Sequence, residues 1–253
     1  MLNDIAHKLD HAAVNASSVD QISLSHAITL TQAYAIQKLS IQKRLDRGEK
    51  LVGYKMGFTS HAKMKQMGVD DLIWGRLTNA MLIEADYTID LSDYVHPRAE
   101  PEVAFRMKTA LSGKVTKEQA LAAIDAIAPA IEVIDSRYRN FTFSLEDVIA
   151  DNCSSSGFVI GTWQPKGTNI DGLTIHLQVN GEVVASGSSN DILDHPLNAL
   201  VEAARCISEA GEELKAGQII LAGAATAAVA LAPNQTISAD VTGLGSCAFK
   251  TKG

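Results

Sequence analysis

Apolar positions recur at helical spacing over the first fifty residues and then give way to short alternating runs. Ile5, Leu9, Ala12 and Ala13 keep the spacing of one helix. A longer helix is expected over residues 31–47, with Ala33, Ile36, Leu39, Ile41 and Leu45 among its apolar positions and Gly48 as a left-handed stop. LVGYKMGFTS reads as a short strand with glycines at 53 and 57, and HAKMKQMGV as one or two helical turns. Short strands and turns are expected over 86–105, where Pro97 and Pro101 bracket two glutamates. A proline between them suits an edge or a strand start, not the middle of a sheet. VTKEQALAAIDAI predicts a helix over 117–127 capped by Thr116. TIHLQVNGEVVASG alternates about Asn180-Gly181, a two-residue hairpin signal. HPLNALVEAARCISEAG is an amphipathic helix stopped by Gly211, and strands joined by tight turns follow it. The pattern divides the chain into a helical N-terminal portion, 1–80, and a mixed β-rich core, 81–253, within one continuous domain.

Composition narrows the function classes. With 46% hydrophobic and 20% charged residues in 253, the chain can bury an ordinary globular core. Its formal charge of −7 argues against a general affinity for nucleic acid or anionic membranes. No apolar run approaches the roughly 20 residues that span a bilayer. The acidic, amphipathic start MLNDIAHKLDHAAVN does not suit a signal or transit peptide. Three scattered cysteines, Cys153, Cys206 and Cys247, fit reduced thiols in a cytoplasmic protein.

The candidate chemistry is acidic. Glu100 and Glu102 in HPRAEPEVAF stand at i and i+2, so on a strand they leave one face. Glu132 in PAIEVIDSRY would bring a third carboxylate on another strand, completing an all-oxygen pocket for a hard cation such as Mg2+ or Mn2+. The alternative is that all three are solvent-facing positions of half-exposed strands. Among seven histidines only His7 and His11 stand at i, i+4, where a surface pair is the simpler reading. The absence of G-x-G-x-x-G, Walker and G-x-S-x-G motifs disfavours nucleotide cofactors and serine hydrolases.

VGYKMGFTS, PEVAF, IEVIDSRY, ADNCSSSGFVIG, HPLNALVEAA and GLGS follow one another in an order that resembles a known family. It is the 2-keto-4-pentenoate hydratase and 4-oxalocrotonate decarboxylase group of the fumarylacetoacetase-like superfamily. The resemblance runs from the second helix to the C-terminus. It implies an α+β fold, a mixed β-roll or barrel of the fumarylacetoacetase C-terminal type with flanking helices and a helical N-terminal segment. It also implies Glu100, Glu102 and Glu132 as ligands of Mg2+ or Mn2+, with no organic cofactor. Lys55 is implied as the catalytic residue, pairing with a substrate carboxylate or holding an enolate. Thr59, Ser60, Asp151 and Thr226 are implied as substrate-binding. Arg137 either recognises a carboxylate or makes a structural ion pair, and the polar loop with Asp151, Asn152 and Ser154 either positions a ligand or is an ordinary turn. Asp135 is expected to orient backbone or Arg137, and His96 to stand behind the glutamates.

Within that group, KMGFTSHAKMKQMGVDDLIWG and GAATAAVALAP resemble the decarboxylase branch; hydratases tend to carry KIGLTS and a GG-S-F-T-R segment. Ala227 stands where that segment has arginine. The implied reaction is metal-dependent decarboxylation of 4-oxalocrotonate (2-oxohex-3-enedioate) to 2-hydroxypenta-2,4-dienoate and CO2, in meta-cleavage catabolism of aromatic compounds. The alternative is hydration of 2-hydroxypenta-2,4-dienoate on the same metal. Homo-oligomers, and an assembly with the sister hydratase, are the implied partners.

Overall fold

A computed structural model describes residues 1–59 and 72–253. The turns expected over HAKMKQMGV and the candidate Ser60 lie outside the described residues. Helix α1 (Leu2–Val14) turns Ile5, Ala6 and Leu9 inward against α2 (Leu30–Asp46). Thr29 and Gln32 close a capping box at the start of α2, reciprocally satisfying two backbone N–H groups. The helix Pro196–Glu209 begins as expected at His195, whose side chain accepts the Leu197 N–H.

Among the described residues the larger sheet runs β2 (Ile73–Thr78), β1 (Leu51–Gly57), β10 (Ile219–Ala224), β4 (Arg98–Met107), β5 (Ile124–Ile134), β6 (Ser155–Ile160). Two short strands complete it, β11 (Val229–Ala230) beside β4 and β7 (Gln164–Pro165) beside β5. All its pairs are antiparallel except β1 with β10. The second sheet orders β3 (Thr88–Asp90), β13 (Gly245–Lys252), β12 (Thr236–Val241), β8 (Thr174–Val179), β9 (Glu182–Ser188). Asn180 and Gly181, both left-handed, make the β8–β9 hairpin that their sequence signals. The chain is an α+β protein whose curled sheet forms a half-barrel, with helices at the N-terminus.

Two sequence expectations need correction. The helix over 117–127 ends at Ala123, and Ile124 is already extended. From there the isoleucine-rich run pairs with β4 from Ile124↔Met107 to Ile134↔Arg98, and that long ladder overrides the helical propensity of the alanines. Pro101 lies inside a central strand, not at an edge. It is tolerated because β4 has two successive neighbours on that side. β10 reaches Glu102, β11 begins at Ala99, and Pro101 falls in the break, where only its carbonyl is used, accepting from the Ala225 N–H.

Strand parity then divides the large sheet into a structural and a chemical face. Tyr54, Met56, Val103 and Phe105 pack with Leu197, Leu200 and Ile207 of the helix Pro196–Glu209. Lys55, Glu100, Glu102 and Glu132 alternate with such apolar residues and leave the opposite face, where Ala104, Ala130, Leu221 and Phe158 form an apolar bed.

Candidate active site

Register brings the three glutamates together. Glu100 and Glu132 are direct partners across β4 and β5, and Glu102 follows two residues along the same face. Carboxylate oxygens of all three lie within 4.8 Å of one another. Glu102 and Glu132 are wholly buried and Glu100 is 9% exposed, so the solvent-facing alternative does not describe them. Glu102 Oε2 accepts the Gly223 N–H at 2.7 Å. Among the described residues, Glu102 Oε1 and both Glu132 oxygens have no aligned hydrogen-bond donor.

Lys55 arrives on β1, with its Nζ 2.8 Å from Glu132 Oε2. By distance this is an ion pair, but it falls off the line of a hydrogen bond. Nζ also donates to the Cys153 carbonyl at 3.3 Å. Burial pulls the lysine pKa down, but Glu132 and the carboxylates behind it outweigh that and leave it above the ordinary value. Burial, with Glu132 beside it, drives the Glu102 carboxyl well above its usual range. Burial likewise raises Glu132, against the pull of Lys55. One ammonium therefore does not neutralise the cluster.

Orphaned, buried carboxylate oxygens that burial and mutual repulsion keep from ionising alone fit a hard divalent cation. Donors around an octahedral Mg2+ at about 2.1 Å lie no more than about 4.2 Å apart, so the trio needs only a small inward movement to share one ion. Glu100, Glu102 and Glu132 are the residues that would hold it, and three protein oxygens leave positions for a chelating ligand.

A cavity of about 400 Å3 adjoins them, lined by Lys55 and Glu100 and by the apolar Ile134, Phe141, Phe143 and Val148. Thr59 also lines it and is buried beside Gly223. Gly223 is left-handed (φ +102), and a Cβ there would meet Thr59 Oγ1 at 2.1 Å. A Gly223→Ala variant is therefore expected to lose about 2–3 kcal/mol of stability and to weaken Mg2+ binding by displacing the N–H that holds Glu102. Thermal melting with a Mg2+ titration checks both effects.

Other sequence candidates fall elsewhere. Arg137 is buried and does not line the cavity. Its Nε donates to Asp151 Oδ1 at 2.6 Å, and its other nitrogens donate to the Asp135 and Asp151 carbonyls and to Ser156 Oγ. Of its two readings, the structural ion pair is the one its contacts describe. Asp151, whose carboxyl burial pushes up to about 6 against the pull of Arg137, is spent on that residue. The Asp135 carboxylate accepts the Val95 and His96 N–H groups and so fixes the entry to β4. Thr226 Oγ1 donates to the Ala227 carbonyl, and it is the neighbours Ala227 and Ala228 that line the cavity.

The residues around Cys153 carry a feature that composition does not announce. Asn152, Cys153 and Ser154 are successive left-handed residues, and the run aims the Cys153 carbonyl at Lys55. Asn152 secures it by exchanging side-chain hydrogen bonds with the Arg76 backbone, where Gly75 leaves room for the close approach. Arg98 and Phe141, which no sequence motif singles out, also line the cavity, and Arg98 shares the i, i+2 parity that joins Glu100 to Glu102.

The family model "Fumarylacetoacetate (FAA) hydrolase C-terminal" matches residues 50–251. A 4-oxalocrotonate decarboxylase of Pseudomonas sp. is 52% identical over 252 residues, covering 100% of this chain and 98% of the relative. A 2-keto-4-pentenoate hydratase of Paraburkholderia xenovorans (strain LB400) is 35% identical over 222 residues, 87% of this chain and 82% of the relative. The solved 4-oxalocrotonate decarboxylase from Pseudomonas putida G7, complexed with magnesium and adipate, superposes with a TM-score of 0.96 at 35% identity, covering 99% of this chain and 97% of that one. A family model matched over most of the chain and a relative 52% identical end to end show that the chain belongs to the fumarylacetoacetate hydrolase C-terminal family, in its 4-oxalocrotonate decarboxylase and 2-keto-4-pentenoate hydratase group.

Proposed function

We propose that the chain decarboxylates 4-oxalocrotonate (2-oxohex-3-enedioate) to 2-hydroxypenta-2,4-dienoate and CO2, as a Mg2+-dependent carbon–carbon lyase of aromatic catabolism. The observation that carries the reading is a buried three-carboxylate floor beside a fixed ammonium, in a chain 52% identical end to end to a 4-oxalocrotonate decarboxylase. The magnesium and adipate held by the Pseudomonas putida G7 relative support it, adipate being a saturated diacid of the same carbon number as the substrate.

A bound Mg2+ supplies Lewis acidity toward a 2-oxo acid chelated through its carboxylate and keto oxygens. The rest is the work of the chain. In 2-oxohex-3-enedioate the distal carboxylate is a vinylogous β-keto acid. As the C5–C6 bond breaks, its electron pair forms C4=C5, the C3=C4 pair moves to C2=C3, and negative charge collects on the C2 oxygen. Lys55, held as an ammonium by Glu132, places a fixed positive charge beside that oxygen. Its charge state supports electrostatic work and disfavours attack by a free amine, so no Schiff base is invoked. Thr59 and the walls Ile134, Phe143 and Val148 narrow the space open to water, which strengthens each of these interactions. The dienolate takes a proton on the C2 oxygen and leaves as the dienol. An oligomer, an assembly that passes the unstable dienol to a hydratase, and a cytoplasmic setting complete the reading. No helix among the described residues is long and apolar enough to cross a membrane.

A proton NMR time course with Mg2+ tests it, offering 2-oxohex-3-enedioate and 2-hydroxypenta-2,4-dienoate separately. The expected result is loss of the diacid with CO2 release and no hydration of the dienoate. Hydration of the dienoate to 4-hydroxy-2-oxopentanoate, with the diacid left intact, would replace decarboxylase by hydratase.

A further inference from the structure

We propose that Arg98 binds the distal carboxylate of the substrate and makes the site selective for a diacid; the identity of that diacid rests on the decarboxylase reading. Two cations line the cavity among the described residues, Lys55 and Arg98. Lys55 is committed to Glu132. Arg98 has no carboxylate partner among the described residues, and its guanidinium carbon lies 4.1 Å from the centroid of the Phe141 ring. A guanidinium stacked on an aromatic face keeps its N–H edge available, and that edge matches a carboxylate bidentately.

The position suits a second carboxylate. Arg98, Glu100 and Glu102 leave one face of β4, and Arg98 stands about 7 Å along the strand from Glu100. The cation therefore lies on the same face as the carboxylate cluster and beyond Glu100 along the strand, a separation that a six-carbon chain can bridge. The backbone is committed to this placement. Asn140 and Phe141 are both left-handed (φ 60° and 54°), which brings the Phe141 ring over Arg98, and His96 stacks near the same ring at 6.4 Å. On the other strand β11 pairs Ala230 with Arg98, and Ala227 and Ala228, which carry no polar side-chain group, line the cavity nearby. A substrate dianion whose first carboxylate is taken by the metal end would carry its second against the apolar walls Ile134, Phe141 and Phe143. Arg98 offsets that cost.

The contact also gives the site a direction. The dienol product has lost the distal carboxylate, so nothing on it answers Arg98. Binding energy from this residue is spent on capture and orientation of the diacid and belongs to the ground state as much as to the transition state. It should therefore appear in KM far more than in kcat.

The test is calorimetric titration of the Mg2+-loaded protein with adipate and with hexanoate, which has the same carbon number and one carboxylate. Wild type is expected to prefer adipate roughly 10- to 100-fold, and Arg98→Met, which keeps a stem to pack on Phe141, to lose that preference. Arg98→Lys should recover only part of it, because the fork is lost. The KM for CO2 release should rise by the same factor in Arg98→Met while kcat moves less than about threefold. A wild type that does not distinguish the two acids, or a folded Arg98→Met that distinguishes them as well as wild type, overturns the assignment. If Arg98→Met fails to fold, Arg98→Lys makes the comparison, and an undiminished preference there is equally fatal. A wild type that prefers adipate through Arg98 but releases no CO2 supports the Arg98 contact and sinks the decarboxylase reading.

Discussion

Glu132→Gln is expected to lower Mg2+-dependent CO2 release about a thousandfold while the chain stays folded. The substitution is nearly isosteric, so β5 keeps its register with β4 and β6. What it removes is one of three charges and the carboxylate that faces both Glu100 and Lys55. Metal-free, the variant should melt within a few degrees of wild type. It gives up the ion pair with Lys55 but also relieves the repulsion that, with burial, holds these carboxyls above their usual range. The larger difference is in the response to metal. Mg2+ at 100 times its Kd should stabilise wild type by about 2.7 kcal/mol, and the same concentration should leave Glu132→Gln almost unmoved. A variant that keeps the full Mg2+-induced rise in melting temperature would remove Glu132 from the metal site, whatever its activity.

The trio could be read from sequence because two rules apply to it without tertiary knowledge. Side chains alternate along a strand, and an unpaired carboxylate in an apolar strand is too costly to be incidental. Caps and turns were legible for the same local reason. Thr116 with Gln119, His195 with Pro196, and Asn180 with Gly181 each satisfy or bend backbone within a few residues. What escaped was set by distant partners. Local propensity extends a helix through AAIDAI, and only the long ladder with β4 turns Ile124–Ile134 into a strand. Pro101 looks misplaced until β10 and β11 are seen to leave a break beside it. Arg137 and Asp151 are each plausible ligand groups alone, and their mutual hydrogen bonds across 14 residues assign them to one another. Three successive left-handed residues at Asn152, Cys153 and Ser154 have no signature beyond an asparagine in a polar loop.

Lys55→Met should change metal affinity and activity in opposite directions, and this separates Lys55 from the glutamates. Lys55 is 4% exposed, and its ammonium stands against Glu132. That positive charge competes with a cation for the same carboxylate and repels it across a few ångströms. At an effective dielectric of 20, even two unit charges 4 Å apart interact by about 4 kcal/mol. Removing it should tighten Mg2+ binding about tenfold, since part of that energy is recovered as solvent and neighbours relax. In the metal-free protein the loss leaves three buried carboxylates without their ammonium, so stability should fall by about 3–5 kcal/mol. Added Mg2+ should restore more than it does in wild type. Catalysis should nonetheless fall about 100- to 1000-fold in kcat, because the charge that met the developing oxyanion is gone. Mg2+ titration by calorimetry beside single-turnover CO2 release reads the two signs independently. A Lys55 that merely props up Glu132 would lose Mg2+ affinity along with activity, whereas tighter metal binding with a slower chemical step places the ammonium at the reacting oxygen.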